Sequence, residues 1–233
     1  MAHIQLESQN ISLALLGQLE KVLDQLNFLH RKHDLHVFVF DHRTADKLPD
    51  FLDMPVNGWI EIGPQPINWT HLENLPDHEQ SLLLTVTTKT AFQHHMAVHL
   101  MKVLDGMLGL DEDTKQEIQT SLHEAITNAI VHGNLNMESN FSTPEAMAEF
   151  YNLIDMRLAQ PFYAERYVTL HISWDDAYIE FMLFDEGAGI PTDAYTEKKE
   201  IAVGAHGMGA TLIQHLSDEV SVQNSSLHLR FKR

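Results

Sequence analysis

Proline and glycine are unevenly distributed along this chain of 233 residues, and their positions limit which segments can form regular structure. Five of the eight prolines lie between positions 49 and 76, where each removes a backbone donor and fixes φ. Five of the eleven glycines lie between positions 187 and 209. These clusters predict two loop-rich stretches, and the first of them predicts a boundary near residue 78.

The first 78 residues combine a leucine-rich helical pattern with two short strand-like runs. Leucines recur at helical spacing over residues 11–30, which predicts an amphipathic helix. Apolar and β-branched runs predict strands at 36–40 and 59–62. Asp41 follows the first strand, where a receiver domain carries its phosphoacceptor, but the segment is too short for that fold. We interpret residues 1–78 as a packing or dimerisation segment whose role is otherwise unknown.

Strands and helices alternate from residue 79 to residue 233. Runs of period 2 predict strands and runs of period 3.6 predict helices, and their mixture predicts an α/β fold, a two-layer α/β sandwich. The predicted strands cover 82–88, 167–173, 178–184, 219–222 and 227–231, and the predicted helices cover 91–108, 113–131, 144–160 and 208–216.

Local capping signals set the ends of two of these helices. Asp113 is a candidate cap with Gln116 as its capping-box partner, and Gly133 is a candidate C′ residue for the same helix. Ser142 or Thr143 is a candidate cap for the next helix, which starts with a proline.

One helix carries three polar side chains along one edge of its apolar stripe. Glu124, Asn128 and His132 are spaced four residues apart, so an acid, an amide and an imidazole share one face. A carboxylate and a carbonyl oxygen at the rim of a core can serve a magnesium-linked phosphate and its attacking nucleophile. The spacing alone leaves open the alternative of a solvated helix edge.

A second motif follows a predicted strand. Asp185 stands at the strand end, where a carboxylate can accept a hydrogen bond from an exocyclic amine, and Gly187 and Gly189 allow a ligand to approach the backbone. A dinucleotide fingerprint would need glycine at position 192, which is Thr192, and a helix where Pro191 intervenes. That alternative therefore fails, and a simple glycine-rich turn remains the other interpretation.

A third motif precedes the helix predicted at 208–216. Gly204, Gly207 and Gly209 would let phosphate oxygens approach the free amides of a helix N-terminus. The alternative is a flexible loop without a ligand. Residues 192–203 separate the second and third motifs and are long enough to close over a ligand.

The composition disfavours several classes of partner. With 15 Lys+Arg against 33 Asp+Glu, the formal net charge of −18 disfavours nucleic acid and anionic membranes. The absence of cysteine rules out disulfides and thiolate metal sites. The first residues lack a secretory signal pattern, and no apolar run reaches the roughly 20 residues that span a bilayer. We therefore expect a cytoplasmic protein.

Together and in this order, the three motifs resemble the nucleotide-binding boxes of the GHKL (Bergerat-fold) ATPase superfamily. Residues 124–133 look like its N box, residues 185–189 like its first glycine box and residues 204–209 like its second. The resemblance covers about residues 81–233. It implies that residues 79–233 form a histidine-kinase-like ATPase domain, a mixed sheet with helices on one face.

The closest likeness within the superfamily is to bacterial anti-sigma-factor serine kinases of the partner-switching type. Residues 121–133 resemble their N box nearly throughout, and residues 134–168 are similar to versions linked to response-regulator phosphatases. The resemblance implies ATP and Mg²⁺ as cofactors and a STAS-domain anti-sigma-factor antagonist as the phosphorylated protein. It also implies a sigma factor as a second partner and a homodimeric assembly.

The resemblance also assigns roles to residues. It implies Glu124 as the general base, Asn128 as the magnesium ligand and Asp185 as the acceptor for the adenine amine. The departure from the family pattern at residues 224–226 leaves the last hairpin without an assigned nucleotide contact. The implied nucleotide-binding residues are Asn128, His132, Asp185, Gly187, Gly189, Gly204, Gly207 and Gly209.

Two other functions are alternatives to a serine kinase. In a non-catalytic switch, nucleotide binding would only order a loop and change partner affinity, and the presence of Glu124 disfavours this alternative without excluding it. The catalytic half of a sensor histidine kinase would need an upstream phosphoacceptor helix with a His-Glu-x-x-x-Pro pattern. Residues 30–34 and 94–96 do not supply that pattern.

Overall fold

The structure is a computed structural model that describes residues 4–25, 35–69, 80–138, 143–187, 195, 209–223 and 226–233. A 3-10 segment, His42–Lys47, and a π-helical segment, Ala129–Asn134, accompany the strands and helices. The strands are β1 Ile4–Gln9, β2 Leu35–Asp41, β3 Gly58–Ile62, β4 Gln80–Thr87, β5 Tyr167–Trp174, β6 Tyr178–Asp185, β7 Glu219–Gln223 and β8 Ser226–Lys232. The helices are α1 Leu13–Gln25, α2 Leu48–Leu52, α3 Thr88–Gln93, α4 Met96–Leu108, α5 Glu112–Asn128, α6 Pro144–Leu158, α7 Pro161–Ala164 and α8 Gly209–Leu216.

All eight strands form one sheet in the order β1-β2-β3-β4-β5-β6-β8-β7. Strands β1 to β4 pair in parallel, and the remaining pairs are antiparallel. The predicted α/β sandwich is therefore confirmed. The three strands that precede residue 78 continue the sheet, because β3 pairs with β4 from Gly58 opposite Leu83. The division at residue 78 stays a prediction.

The two faces of the sheet bury different sets of side chains because successive strand residues point in opposite directions. Phe38 and Phe40 of β2 belong to the large core that β2 to β6 and β8 share with α2 to α6 and α8. Val37 and Val39 of the same strand belong to a smaller cluster on the other face, together with Leu19 and other residues of α1. In the described part of the chain, no helix is long and apolar enough to cross a membrane.

Aromatic side chains fix the N-terminal strands to helix α2. The rings of Phe38 and Phe40 lie 4.8 and 5.1 Å from the ring of Phe51, at tilted angles. Trp59 of β3 is fully buried, and its indole nitrogen donates a hydrogen bond of 2.6 Å to the carbonyl oxygen of Phe51. Aromatic pairs at such distances contribute about 0.5–1.5 kcal/mol beyond the area they bury.

Helix α6 was predicted correctly because its signals are local. Thr143 caps it, since its side chain accepts a hydrogen bond from the amide of Ala146, and Pro144 occupies the first turn. The helix ends at Leu158, before Pro161.

Two predicted boundaries were wrong, and one strand was missed. The predicted helix 91–108 is two helices, α3 and α4, because the extended backbone of His94 ends α3. Helix α3 also starts earlier than predicted, with Thr87 as its cap. Asp111, not Asp113, caps α5, since its carboxylate accepts hydrogen bonds of 3.1 Å from the amides of Asp113 and Thr114. Strand β1 and its parallel pairing with β2 were not predicted at all.

Candidate functional site

Helix α5 places Glu124 and Asn128 at the rim of the core. Its buried stripe includes Ile118, Leu122 and Ala125. The side chains of Glu124 and Asn128 lie at the edge of this stripe and are half-buried. Because i and i+4 share a helix face, the carboxylate and the amide lie one turn apart.

Gly209, the first residue of α8, lies against both of these side chains. A Cβ atom at this position would lie 2.5 Å from Oε2 of Glu124 and 3.5 Å from Nδ2 of Asn128. A side chain at position 209 would therefore displace the Glu124 carboxylate from its present position. The structure thus brings together Glu124, Asn128 and Gly209, three of the residues predicted for the site.

Tyr195 completes this group, and sequence reasoning missed it. The amide of Asn128 donates a hydrogen bond of 3.4 Å to the hydroxyl of Tyr195. Burial, and then the nearby charge of Glu124, raise the pKa of the Tyr195 phenol. Among the described residues, nothing donates a hydrogen bond to Oδ1 of Asn128, so this carbonyl oxygen is available to a cation or a polar ligand.

A π-helical segment continues α5 and brings it against the end of β6. Its amides bond five residues back, as in the 2.7 Å hydrogen bond from Leu135 to the carbonyl oxygen of Ile130. A Cβ atom on Gly133 would lie 2.5 Å from Cγ of Asp185, and one on Gly187 would collide with the backbone of Gly133. The predicted C′ role of Gly133 is wrong: the residue lies inside the π-helical segment, and its missing side chain makes room for Asp185.

Among the described residues, one oxygen of the Asp185 carboxylate has a hydrogen-bond donor and the other has none. Oδ1 accepts a hydrogen bond of 2.9 Å from the amide of Gly187. Oδ2 is buried and has no hydrogen-bond donor in the part of the chain that the structure describes. Burial raises the pKa of this carboxyl group. A buried acceptor without a donor is costly, so the arrangement suits a ligand that brings a donor such as an exocyclic amine.

A family match identifies the domain in which these side chains lie. A family described as the histidine kinase-like ATPase domain matches residues 91–232, more than half of the chain. The chain belongs to this family. An ATPase domain binds ATP, which agrees with a buried Asp185 oxygen that has no donor among the described residues.

Several relatives of this ATPase domain are anti-sigma factors. The chain is 31% identical over 121 residues to the anti-sigma F factor of Priestia megaterium, covering 49% of this chain and 64% of that protein. It is 26% identical over 119 residues to the anti-sigma F factor of Bacillus licheniformis, covering 48% and 62%. It is 31% identical over 116 residues to that of Halalkalibacterium halodurans, covering 47% and 60%. The chain thus spans less than two thirds of each relative.

The remaining predicted residues of the ATPase site fall into two sets. The imidazole Nδ1 of His132 lies 2.6 Å from the carbonyl oxygen of Met137. Since a carbonyl only accepts, Nδ1 carries the hydrogen, and the ring is half-buried beside the π-helical segment. Gly189, Gly204 and Gly207 lie outside the described residues, as does the 192–203 loop apart from Tyr195. The roles of all these residues stay predictions.

The donor set of the ATPase domain fits Mg²⁺ bound together with phosphates. In the ranges that the structure describes, no group of three or more His, Cys, Asp or Glu side chains could hold a metal ion. Mg²⁺ commonly takes only one or two protein ligands and completes its shell with water and substrate phosphates. The carbonyl oxygen of Asn128 fits that pattern.

Sequence reasoning also missed Asn134, a fully buried residue at the end of the π-helical segment. Its Oδ1 accepts a hydrogen bond of 2.7 Å from the amide of Glu186, directly after Asp185. The backbone carbonyl of Asn134 accepts a hydrogen bond of 2.6 Å from Arg166. No local pattern could reveal these contacts, because they join residues 52 and 32 positions apart.

Proposed function

We propose that this chain is an ATP-dependent protein serine kinase and an anti-sigma-factor-like regulator in a partner-switching pathway. Its substrate would be a STAS-domain antagonist protein, and a sigma factor would be its second partner in the cytoplasm. The observation that carries the proposal is the convergence of Glu124 and Asn128 on Gly209 at the start of α8. A non-catalytic nucleotide site would need the amide and the glycine but not the acid.

Three parts of the site would hold the nucleotide. Oδ2 of Asp185 would accept a hydrogen bond from the adenine amine, which supplies the donor that the described residues lack. The carbonyl oxygen of Asn128 would hold Mg²⁺, which neutralises charge on the phosphates when bound. The glycines before and at the start of α8 would let the phosphates approach backbone amides.

Glu124 would act as the general base. Its carboxylate would take the proton from the hydroxyl of the substrate serine. The serine oxygen would then bond to the γ-phosphorus while the bond between that phosphorus and the β–γ bridging oxygen breaks, giving ADP and phosphoserine. Positioning and charge stabilisation supply most of the rate in such a reaction, and a positioned base adds about 10²–10⁴-fold.

The partners are proposed from the names of the relatives. Proteins called anti-sigma F factors match residues of this chain at 26–31% identity over about half its length. Affinity capture from the source cell, with and without ATP, followed by mass spectrometry for phosphoserine, would identify the substrate. We expect a small antagonist protein that carries phosphoserine only when ATP is present.

Transfer of labelled phosphate to the captured antagonist tests the kinase. We expect Glu124→Gln to bind ADP within about twofold of wild type and to transfer phosphate at least about 100-fold more slowly. Glu117→Gln is the matched control, because Glu117 lies exposed on the same helix. Equal transfer by Glu124→Gln would remove Glu124 from the mechanism. ATP-dependent binding of the antagonist without transfer by wild type would favour the non-catalytic switch.

A further inference from the structure

Asn134 joins three elements through one side chain. Its Oδ1 accepts from the amide of Glu186 at 2.7 Å, and its Nδ2 donates to the carbonyl oxygen of Tyr167 at 2.9 Å and to the hydroxyl of Thr88 at 2.8 Å. An amide N–H only donates and a carbonyl only accepts, so these partners fix which end of the Asn134 side chain is which. Both Nδ2 hydrogens and one acceptor site of Oδ1 are therefore used inside the core.

These contacts involve two residues next to the proposed nucleotide-binding carboxylate of Asp185: one follows it in the chain and the other packs against its side chain. Glu186 follows Asp185 directly, and its own Oε2 accepts a hydrogen bond of 2.8 Å from the amide of Tyr167. Gly133 precedes Asn134 and lies against Asp185. Asn134 therefore links Gly133, which lies against Asp185, and Glu186, which follows Asp185, into one hydrogen-bonded unit.

The N-terminal segment holds the same unit from the other side. The hydroxyl of Tyr167 accepts a hydrogen bond of 2.8 Å from the amide of Gly63 and donates one of 3.2 Å to the carbonyl oxygen of Gln65. The carboxylate of Glu61 accepts one of 2.8 Å from the amide of Thr87, next to Thr88. Residues 61–65 precede the region that matches the ATPase family, which begins at residue 91.

We infer that Asn134 is a positioning residue for the nucleotide-binding carboxylate of Asp185, and that residues 61–65 extend this positioning through Tyr167. The inference rests on the proposed nucleotide site. A carboxylate held before the ligand arrives loses less conformational freedom on binding, so affinity depends on the residues that hold it. The N-terminal segment thereby becomes part of the nucleotide site without contacting the nucleotide.

The test measures ADP binding by calorimetry on the full chain. Asn134→Ala removes three hydrogen bonds, and we expect ADP to bind about tenfold more weakly. At saturating ATP the transfer rate should stay within about threefold, because Glu124 is untouched. The matched control is Asn57→Ala: the Oδ1 of Asn57 accepts a hydrogen bond of 3.1 Å from the amide of His36, between β2 and β3. It should lower the melting temperature and leave ADP affinity within about twofold.

The outcomes separate the inference from the proposed function. If wild type binds no ADP, the proposed nucleotide site fails. If wild type binds ADP and folded Asn134→Ala binds it equally well, the positioning role is overturned. Should Asn134→Ala not fold, Thr88→Val takes its place. It removes one partner of Nδ2 with a side chain of similar shape, and about a threefold loss of affinity is expected.

Tyr167→Phe tests the part played by the N-terminal segment. It removes the hydroxyl that bonds Gly63 and Gln65 and keeps the backbone contacts to Asn134 and Glu186. We expect ADP to bind about threefold more weakly, together with a lower melting temperature. A lower melting temperature with unchanged ADP affinity would overturn the extension to residues 61–65.

Discussion

Glu61 of β3 and Asp185 of β6 are both buried carboxylates near strand ends, but among the described residues only Glu61 has donors for both of its oxygens. The oxygens of Glu61 accept from the amide and hydroxyl of Thr87 and from the hydroxyl of Thr90, at 2.8, 3.1 and 2.9 Å. Asp185 accepts one bond, from Gly187, and its Oδ2 has no donor among the described residues. This difference supports a mainly structural role for Glu61 and the proposed ligand-binding role for Asp185.

Burial disfavours the charged form of both carboxylates. Burial raises the pKa of both Glu61 and Asp185. Three hydrogen bonds offset that cost for Glu61, whereas for Asp185 a single one does so within the described residues. We therefore expect changes at Glu61 to act mainly on stability and changes at Asp185 to act mainly on ligand binding.

The largest expected effect is at the structural carboxylate. Glu61→Ala leaves the amide of Thr87 and the hydroxyl of Thr90 without their buried acceptor, so the free energy of unfolding should fall by about 3 kcal/mol. The Thr87 hydroxyl keeps Oγ1 of Thr90 as an acceptor at 3.0 Å. Urea titration followed by circular dichroism measures it. Glu117→Ala on the exposed face of α5 should change stability by less than about 0.5 kcal/mol. If the free energy of unfolding of Glu61→Ala equals that of wild type, the hydrogen bonds of Glu61 do not give it a structural role.

The next effect is at the ligand carboxylate. Asp185→Asn removes the charged acceptor, and we expect ADP to bind roughly 30-fold more weakly, a loss of about 2 kcal/mol. Stability should not fall, because the buried charge is removed with its desolvation cost. Asp176→Asn is the control on an exposed turn. Calorimetry and thermal unfolding on the same samples measure both quantities, and unchanged ADP affinity would contradict the adenine role.

The same substitution, glycine to alanine, at two positions separates a glycine that contacts Asp185 from one that has open space around it. Gly133→Ala places a Cβ atom against the carboxylate of Asp185, so ADP affinity should fall about tenfold, or about 1.4 kcal/mol. Gly106→Ala lies in α4 with no atom within 4 Å of the added carbon. It should leave binding unchanged and raise the free energy of unfolding by about 0.5–1 kcal/mol. If the two substitutions change ADP affinity equally, the close approach of Gly133 to Asp185 does not matter for ADP binding.

The smallest effect is at a third carboxylate, Asp41, which has a cationic partner. The Arg43 guanidinium, which bonds both oxygens at 2.8 and 2.7 Å, lowers the pKa of Asp41 to about 2. Because the folded-state pKa lies below the roughly 3.9 of an unfolded chain, this stabilisation is present above that pH and is lost as the pH falls through about 2. Asp41→Asn keeps a side-chain oxygen that can accept from the amide of Arg43 but loses the ion pair, so it should cost about 1 kcal/mol at pH 7 and progressively less in acid.

Urea titrations of wild type and Asp41→Asn at several pH values test this prediction. A difference between the two proteins that stays constant from pH 7 down to pH 2 would contradict the ion pair with Arg43. The pKa of Asp41 is lowered, whereas the pKa values of Glu61 and Asp185 are raised. The direction of the pKa shift therefore distinguishes a carboxylate with a cationic partner from one whose burial dominates.

Elements with local signals were predicted, and elements that depend on distant contacts were not. The cap at Thr143 and the helix after it follow from a hydrogen bond three residues along the chain. The helical spacing of Glu124 and Asn128 likewise needs only one turn of helix. The early start of α3 was missed, because Thr87, which caps α3, also bonds Glu61, 26 residues away.

The alternation of strands and helices, the family resemblance and the shared helix face of Glu124 and Asn128 follow from the amino-acid sequence. Hydrophobic periodicity and cap chemistry act over a few residues, so they are visible in the sequence. Three features depend on the folded chain: Gly133 makes room for Asp185, Asn134 bonds Glu186, and β3 joins the sheet beside β4. Those contacts join residues far apart in the chain, and the packing of the whole core selects them.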